Sequence, residues 1–443
     1  APNSPSYLFM PQDEALRSEY EHGWSIADAM PTHSMGMNTH RDEYVIDLDR
    51  QLLLARIRQL RNATLETIQK WDSGLPQEHA PKVWKNAMLG AVLKVWQVLN
   101  NDPDWQDRVI PCLYGPFDIR FLYWCEDLID RPRIEVNQHM LHKNISLVTT
   151  SQTREPFSAL VTDLVCGQHK ITSVYDGSLF FPLYLYPSTK EKRKDQQSLF
   201  ADEGDNDSLQ RRPNFAPGFI ADVAHRLGLT FVPDDTGDLI HSFGPEDLLR
   251  YIYALLHSPS YRSRYAEFLK KGFPRIPITS DLDLFRALCS RGAALVRMHL
   301  LTSPALSHGT VGFPIPAPNG KNLIEAGHPR YIAPGENDPE SAEPVGTGRV
   351  YISKGNPKTG ARGQYFDGVP ADIWKFQVGG YQVCEQWLKD RRGRSLSHDD
   401  TTHYQKIIGA IGETLHLMAE IDATIEAHGG WPLTDSKGET DAP

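Results

Sequence analysis

The sequence predicts a mixed α+β protein, in which sheet-containing subdomains are separated by helical spacer elements and followed by a long C-terminal helix. Three observations support this prediction. Residues 101–187 contain short β-branched and aromatic runs divided by turn residues, residues 215–302 repeat apolar side chains at helical spacing, and residues 404–425 do so at heptad-like spacing. Because 443 residues exceed the usual size of one hydrophobic core, we expect two or three packed units.

The first 100 residues are predicted to form an N-terminal arm and a helical connector. Residues 41–46 have the composition of a strand, and Asp47 or Asp49 can cap a helix that extends to about Trp71. A second helix is expected over residues 82–99. One face of the first helix carries four apolar residues, which we expect to pack together: Leu53, Ile57, Leu60 and Ile68.

Residues 101–187 are predicted to form a mixed-sheet subdomain. Its strands are suggested by the runs IPCLYG, IRFLYW, NISLVTT, ALVTDLVC and SLFFPLYLYP. Arg120, Arg131 and Arg133 are expected at the ends of these strands. Pairing with a nearby carboxylate is the preferred interpretation for Arg120, whereas Arg131 and Arg133 are candidates for contact with an anionic partner.

Opposed charge blocks and few apolar residues characterise residues 188–214, which are predicted to be a mobile charged insertion. Residues 215–302 are predicted to be a helical spacer with a break before Pro259. A later helix of this spacer can be capped by Ser280 or Asp281.

A proline-rich connector, disordered in part, is predicted over residues 303–348. A second sheet-containing subdomain with the C-terminal helix follows over residues 349–433, and residues 434–443 are expected to be a loose tail. Ser397 or Asp399 can cap the final helix. Its apolar stripe predicts a seam within the chain, with a dimeric coiled coil as the less favoured use: Tyr404, Ile408, Ile411, Leu415, Met418 and Ile425.

Positive charge is concentrated in residues 349–394. This stretch has nine Lys or Arg and four Asp or Glu, net +5, whereas the whole chain has a net charge of −10. Its first part, residues 349–366, has no acidic residue, and its glycines are expected to keep the backbone flexible. A polyanion could approach this part, with contacts from Lys354, Lys358 and Arg362.

Further basic residues end a helix that is predicted over residues 381–391, after a short helix that begins at Pro370. Gly393 is a plausible terminator. Arg391, Arg392 and Arg394 either contact a polyanion or are solvated cations that the helix macrodipole favours, and both interpretations stay open. The apolar face of this helix consists of Val383, Cys384, Trp387 and Leu388.

No pattern for catalysis, cofactor binding or metal binding is evident. The sequence has no Gly-x-x-x-x-Gly-Lys-Ser/Thr phosphate loop, and His139 and His142 have no third ligand nearby. The five cysteines are widely separated, which argues against a disulfide framework. No apolar run is long enough to span a membrane, and no signal peptide is recognisable. We therefore predict no catalytic, cofactor-binding or metal-binding residue.

Several long strings, in a fixed order, resemble the C-terminal specificity domain of Type ISP restriction-modification enzymes. These enzymes are single polypeptides that combine nuclease, ATP-driven translocase, adenine methyltransferase and target recognition. The longest string is GQYFDGVPADIWKFQVGGYQVCEQWLKDRRGRSLSHDDTTHYQKII, at residues 363–408. The others are THRDEYVIDLD, YGPFDIRFLYW, DRPRIEVNQHML, SLFFPLYLYP and EDLLRYIYALLHSPSYRSRYAEFLKKGFPRIPIT.

The resemblance implies sequence-specific recognition of double-stranded DNA, which would direct adenine-N6 methylation and restriction by covalently attached methyltransferase and translocase/nuclease domains. S-adenosylmethionine, ATP and Mg are implied for those domains and no cofactor for this chain. A bacterial cytoplasmic location without a membrane partner is expected. Both sheet-containing units would then be recognition subdomains, with DNA contacts at Lys354, Lys358, Arg362, Arg131, Arg133, Arg391, Arg392 and Arg394.

Two alternatives remain open. The acidic balance, the heptad-like final helix and the exposed linkers would suit a protein-interaction scaffold. A self-contained methyltransferase would use Asp102-Pro103-Asp104-Trp105, which approaches the Asn/Asp-Pro-Pro-aromatic loop of adenine methyltransferases but has Asp in place of the second proline. Because the glycine-rich turn for S-adenosylmethionine is also missing, a turn is the preferred interpretation of these four residues.

Overall fold

The computed structural model describes residues 14–72, 91–187, 211–308, 311–317, 321–356, 358 and 361–433. The start of the helix predicted over residues 82–99, most of the insertion predicted at 188–214 and the tail at 434–443 lie outside the described residues. No helix within the described ranges has both the length and the apolar character needed to cross a membrane.

The helices are α1 Glu14–Glu21, α2 Ile26–Ala29, α3 Asp42–Val45, α4 Arg50–Arg61, α5 Leu65–Asp72, α6 Ala91–Asn101, α7 Ile134–Met140, α8 Pro217–Leu227, α9 Pro245–His257, α10 Pro259–Arg264, α11 Ala266–Leu269, α12 Leu282–His299, α13 Ala371–Lys375, α14 Val383–Lys389 and α15 His398–Ala427. The strands are β1 Trp24–Ser25, β2 Ser34–Met35, β3 Ile46–Asp47, β4 Val109–Gly115, β5 Asp118–Tyr123, β6 Ser146–Thr149, β7 Leu160–Thr162, β8 Val165–Cys166, β9 Leu179–Pro182, β10 Tyr184–Leu185, β11 Arg212–Pro213, β12 Thr230–Phe231, β13 Ser242–Phe243, β14 Arg275–Ile276, β15 Asn322–Leu323, β16 Arg330–Ile332, β17 Arg349–Tyr351, β18 Tyr365–Asp367, β19 Gln377–Val378, β20 Tyr381–Gln382 and β21 Ser395–Leu396.

Two four-stranded sheets organise the first half of the chain. One is mixed, in the order β3-β5-β4-β8, because β8 joins β4 in parallel while the other neighbours are antiparallel. The other is antiparallel, in the order β2-β9-β6-β7. All five strand-like runs form strands, which confirms the mixed α+β class. Each sheet also takes a strand from the N-terminal segment, which is therefore more than an arm and a connector.

The strand predicted over residues 41–46 is wrong except at its last residue. Residues 42–45 form the helical turn α3, because Thr39 donates its hydroxyl to Asp42 and accepts the amide of Arg41 at 2.9 Å. Such local side-chain bonds compete with strand pairing. The guanidinium of Arg41 is buried and donates to the Leu128 carbonyl at 2.8 Å, which fixes this turn against the sheet.

The N-terminal helices pack on the mixed sheet. Asp49 caps α4 by accepting the amides of Gln51 and Leu52 at 2.7 and 3.2 Å. The helix predicted to reach Trp71 is interrupted between α4 and α5, where Thr64 accepts the amide of Thr67. The apolar face is buried in one cluster with the sheet, as predicted: Leu53, Ile57, Leu60 and Ile68.

Helices α9, α12 and α15 form the centre of the protein. A Cβ atom at Gly292 of α12 would lie 1.9 Å from the carbonyl oxygen of Arg250 in α9, so only glycine permits this close approach of the two helices. The predicted break falls before Pro259, and Asp281 caps α12. The segment predicted as a spacer is thus the core on which the other elements pack.

The last helix uses its apolar stripe inside the protein. Ser397 and Asp400 form a capping box at its start, so Ser397 is the cap, and α15 packs against α12 and α9. Most of the predicted stripe is buried, which confirms the seam within the chain: Tyr404, Ile408, Ile411 and Ile425. Leu417 and Ile421 complete the seam, while Leu415 is only partly buried.

Residues 211–214, which fall within the mobile insertion predicted at 188–214, are firmly bound. Arg211 stacks on the ring of Tyr184 at 3.8 Å and pairs with Asp234 and Asp235. Asn214 is 1% exposed and bonds to the carbonyl oxygens on two other segments. The sequence alone did not predict that Arg211 is anchored, because its carboxylate partners, Asp234 and Asp235, lie on another loop.

The second sheet unit combines the connector with the basic region. Strand β16, from the predicted proline-rich connector, pairs antiparallel with β17, and β17 pairs with β18. A small cluster lies against this sheet and contains Ile332, Val345, Tyr351 and Tyr365. The described part of the connector is therefore an integral part of the second unit.

A buried ion cluster joins the two sheet units. Asp118, at the start of β5, is fully buried and accepts Arg391, which follows α14, at 2.7 Å. Arg120 bridges Asp118 at 2.6 Å and Asp390 at 2.5 Å. This confirms the pairing preferred for Arg120, although the cluster is interior and includes a partner that is distant in sequence. Removing one member would leave a buried charge uncompensated.

Replacing Asp118 with Asn is expected to lower the free energy of unfolding by about 3–5 kcal/mol, because Arg391 would stay buried without its counter-charge. Urea unfolding measures the loss. Glu66→Gln, which removes an exposed pair with Lys70, is the control and is expected to have little effect. Equal stability of the two variants would show that the cluster does not anchor the junction.

Two buried histidines lie where α9, α12 and α15 meet. His299 bonds to the Tyr253 hydroxyl and to Thr414 Oγ1, the latter at 2.9 Å. Burial, assisted by the charge of Arg262, lowers the pKa of His299 to about 3. Burial likewise lowers the pKa of His257 well below its ordinary value, and the charges of Arg262 and His299 add to this. Both rings are therefore neutral in the folded protein at neutral pH.

Acidification is expected to destabilise the protein through these histidines. Their pKa values are depressed in the folded state, so stability that is fully present above about pH 6.5 is lost as the pH falls toward the folded-state values. Each histidine lowers the free energy of unfolding by up to roughly 1.4 kcal/mol per unit of pH decrease in this range. Urea unfolding at several pH values between 7.5 and 5 measures this slope. His299→Gln is expected to reduce it, and an equal slope in both proteins would contradict the assignment.

Candidate nucleic-acid interface

Three basic residues project from the hairpin loop between β17 and β18. Lys354, Lys358 and Arg362 are exposed, and within the described residues none of them forms an ion pair with a carboxylate. We call residues 354–362 the basic hairpin; Pro357, Thr359 and Gly360 lie outside the description. The structure therefore places the three predicted cations on one loop with their charges uncompensated.

Acidic residues of the connector hold the backbone of the basic hairpin. Glu340 Oε1 accepts the amides of Gly355 and Gly363 at 2.9 and 2.7 Å. Glu325 Oε2 accepts the amide of Lys354 at 2.9 Å. The carboxylates thus bind the main chain and leave the cationic side chains directed to solvent.

This arrangement corrects the prediction that the glycines keep the loop flexible. A Cβ atom at Gly355 would lie 2.3 Å from Glu340 Oε1, and one at Gly363 would lie 2.6 Å from the same oxygen. Real Cβ contacts are never so short, so these glycines are needed for the close approach of the carboxylate. Their role is to fix the loop.

Arg349, at the start of β17, is not available to a partner. It pairs with Asp338 at 2.7 Å and with Asp367 at 2.8 Å. Burial opposes ionisation of Asp338, but hydrogen bonds from the Tyr351 hydroxyl, two backbone amides and Arg349 outweigh it and hold the pKa of this carboxyl well below its usual range. Asp338 is thus the anchor that joins the connector to the sheet.

The three arginines near the end of α14 lie in different environments. Arg391 is 4% exposed, pairs with Asp118 and covers the ring of Trp387 at 3.6 Å. This corrects the prediction for Arg391, because a buried and paired guanidinium cannot meet a duplex. Arg392 is exposed and donates to the His328 carbonyl, and Arg394 is half-exposed with a pair to Asp47 at 3.6 Å. DNA contact by the latter two stays a prediction.

Arg131 and Arg133 lie on the first sheet unit. Arg131 is 57% exposed and is 3.6 Å from Asp130, whereas Arg133 is 30% exposed and 3.9 Å from Glu135. The backbone of Arg131 pairs with Asn38, which lines a cavity of about 330 Å³ together with the exposed Lys170. Arg131 is therefore accessible, and DNA contact by either arginine stays a prediction.

Sequence reasoning missed Arg330. It lies in β16, directly opposite Tyr351, is exposed, and within the described residues has no ion pair. A cleft of about 520 Å³ is lined by Arg330, Lys354 and Arg362. The sequence showed only an arginine within a segment whose proline content predicted a linker. The pairing of β16 with β17 brings this arginine beside the basic hairpin.

No group of three or more His, Cys, Asp or Glu side chains in the described part of the chain is arranged to hold a metal ion. His139 is buried and accepts the amide of Tyr186 at 3.1 Å. Asp102 begins a turn, accepts the amide of Asp104 at 3.0 Å and pairs with Arg108. The segment Asp102-Pro103-Asp104-Trp105, which approaches the methyltransferase motif, thus forms local contacts, as expected of a turn.

A comparison with family models identifies the fold. Residues 28–420 match the model described as the Type ISP C-terminal specificity domain. The chain belongs to this family. Since the match covers nearly all of the chain, both sheet units and the central helices form one Type ISP specificity domain. No curated protein matches the chain.

Solved structures of similar fold agree with this assignment. A DrdV–DNA complex is 18% identical, with a TM-score of 0.58 over 88% of this chain and 35% of that one. The Type ISP enzyme LlaBIII bound to DNA is 15% identical, with a TM-score of 0.59 over 91% of this chain and 25% of that one. A nuclease-deletion mutant of the Type ISP enzyme LlaGI with a DNA substrate mimic is 15% identical, with a TM-score of 0.57 over 90% of this chain and 29% of that one. This specificity domain therefore spans about a quarter to a third of the chains that share its fold.

The clamp on the basic hairpin predicts that Gly363→Ala destabilises the specificity domain by about 1–3 kcal/mol, because the added methyl group must displace Glu340 or the Ser353 carbonyl, 2.7 Å away. Urea unfolding measures this effect. Gly346→Ala is the matched control, since a Cβ atom there meets nothing within 4 Å. If both variants were equally stable, the loop would not depend on the carboxylate clamp.

Proposed function

We propose that this chain recognises the DNA target site of a longer Type ISP-like enzyme, and that it does so without catalysing a reaction itself. Membership of the Type ISP specificity family supports the proposal, as do the three structures of similar fold, each of which contains DNA or a DNA mimic. The observation that carries it is the basic hairpin, whose three cations are exposed and form no ion pair with any described carboxylate, on a chain of net charge −10.

Phosphate contacts from the basic hairpin would set the position of the duplex. Lysine and arginine side chains neutralise phosphates regardless of sequence, so Lys354, Lys358 and Arg362 give affinity and register. Base selection then requires side chains that reach the groove edges, for which Arg131 and Arg392 are accessible candidates. Because the backbone of the basic hairpin is clamped, little conformational entropy is lost when the duplex binds.

Adenine methylation and restriction belong, in this proposal, to covalently attached domains outside this chain. The adenine N6 atom cannot reach a methyl donor inside the base stack, so the base would be extruded into a neighbouring methyltransferase. S-adenosylmethionine, ATP and Mg would act in those domains. The contribution of this chain is to hold the duplex in the register that presents the correct adenine.

The scaffold alternative loses one of its three supports. It rested partly on the apolar stripe of α15, which is buried against α12 and α9. The methyltransferase alternative rested on Asp102-Pro103-Asp104-Trp105, whose first carboxylate is paired with Arg108 and whose Trp105 is 4% exposed. DNA recognition explains the exposed cations, and neither alternative does.

Replacing Lys354, Lys358 and Arg362 together with Ala is expected to weaken specific and non-specific duplex binding alike. Each lost phosphate contact flattens the slope of log affinity against log salt by about 0.9. Fluorescence anisotropy with cognate and scrambled duplexes at several salt concentrations measures both effects. Loss of site selection with an unchanged slope would instead indicate base contacts.

The control removes three exposed cations from helices and turns elsewhere, namely Arg17, Lys70 and Lys270, each paired with a carboxylate close in sequence. Its binding is expected to match the wild type. Equal losses in both triple variants would mean that net charge, and not the basic hairpin, governs affinity. Methyl transfer by the purified chain alone would contradict the non-catalytic role.

A further inference from the structure

The cleft beside the basic hairpin has the composition of an anion site. Its wall includes Arg330, Lys354 and Arg362, together with His328 and the edge of Tyr351. The volume of about 520 Å³ lies within the range of roughly 300–1,000 Å³ that is common for ligand sites. The cations come from two different segments, β16 and the basic hairpin, which β-pairing brings together.

The carboxylate that lines the cleft is already hydrogen-bonded to the backbone. Glu340 also lines the cleft, but its Oε1 accepts the amides of Gly355 and Gly363. A fourth cation, Arg392, binds the carbonyl of His328 at the rim. The residues that line the cleft thus include three cations and one carboxylate, so their net charge is positive and favours an anion.

Arg330 has a geometry that the flexible lysines lack. Its backbone is fixed in β16 opposite Tyr351, whose hydroxyl is held by Asp338 at 2.5 Å. An arginine presents several N–H donors in a planar fork, which matches two oxygens of one phosphate. A strand-mounted arginine at the wall of a preformed cleft is thus suited to hold one phosphate in a defined position.

We propose that this cleft is a phosphate-binding site, with Arg330 as the anchoring cation and with Lys354 and Arg362 on its flanks. The phosphate belongs to the DNA strand, because the same two flanking residues also form the exposed basic hairpin. This inference rests on the proposed function and adds a specific binding site for one phosphate. A free phosphate or nucleotide has the same chemistry, and the experiment separates the two sources.

The test compares Arg330→Gln and Arg330→Lys with the wild-type chain in duplex binding across a range of salt concentrations. Arg330→Gln is expected to weaken binding about tenfold and to flatten the salt slope by about 0.9, as the loss of one phosphate contact requires. Arg330→Lys keeps the charge, so it is expected to retain the slope while recovering only part of the affinity. Arg17→Gln, remote on α1, is the control, and circular dichroism checks that all variants fold.

Titration with pyrophosphate and with adenosine monophosphate identifies the source of the phosphate. Weak binding that duplex DNA displaces supports the proposal. Tight nucleotide binding that DNA does not displace overturns the assignment to DNA. If Arg330→Gln leaves the duplex affinity and the salt slope unchanged, the phosphate site in the cleft is wrong. The proposed role of the basic hairpin is not affected by that result, because the triple variant tests it separately. If the wild type bound no duplex, the proposed function would fail, and loss of pyrophosphate binding in Arg330→Gln would still support an anion site.

Discussion

A single buried carboxylate, Asp118, determines how the two halves of this protein are arranged. It starts a strand of the first sheet unit and meets Arg391 from the end of a helix in the second. Arg120 completes the buried part of the cluster by pairing with Asp118, and it also pairs with Asp390 at the exposed edge. The strong interaction at low dielectric, together with the penalty for leaving any member alone, makes the junction specific.

The acidic residues explain how an acidic chain can present a basic surface. Asp338 and Glu340 lie in the same connector, close to the basic hairpin. Asp338 pairs with Arg349 and Glu340 accepts backbone amides, so within the described residues neither forms an ion pair with Lys354 or Arg362. Each amide that donates to one of these carboxylates is a donor that the loop would otherwise leave unpaired. The carboxylates therefore bind the described backbone of the loop, and within the described residues they form no ion pair with Lys354 or Arg362.

Features that depend on neighbours in sequence could be predicted. The strand runs between residues 109 and 185 form strands, and Asp49, Asp281 and Ser397 cap helices, because β-propensity and capping act over a few residues. Local reasoning was wrong where a distant partner decides. Arg391 was predicted to be either a DNA contact or a solvated cation, but it is buried against Asp118. Arg211 was predicted to be mobile, but it pairs with Asp234 and Asp235 from another loop.

The sequence by itself determined the mixed α+β class, the family, the buried faces of α4, α14 and α15 and the segment where positive charge collects. Periodicity, helix caps and local charge depend on residues close together in the sequence, and a family resemblance is recognised from the sequence alone. Only the tertiary structure decided which cations remain free, that Gly355 and Gly363 make room for Glu340, and that Arg330 lies beside the basic hairpin. Pairing between strands and ions joins residues far apart in the chain, and no local pattern records which distant partner a charged side chain will find.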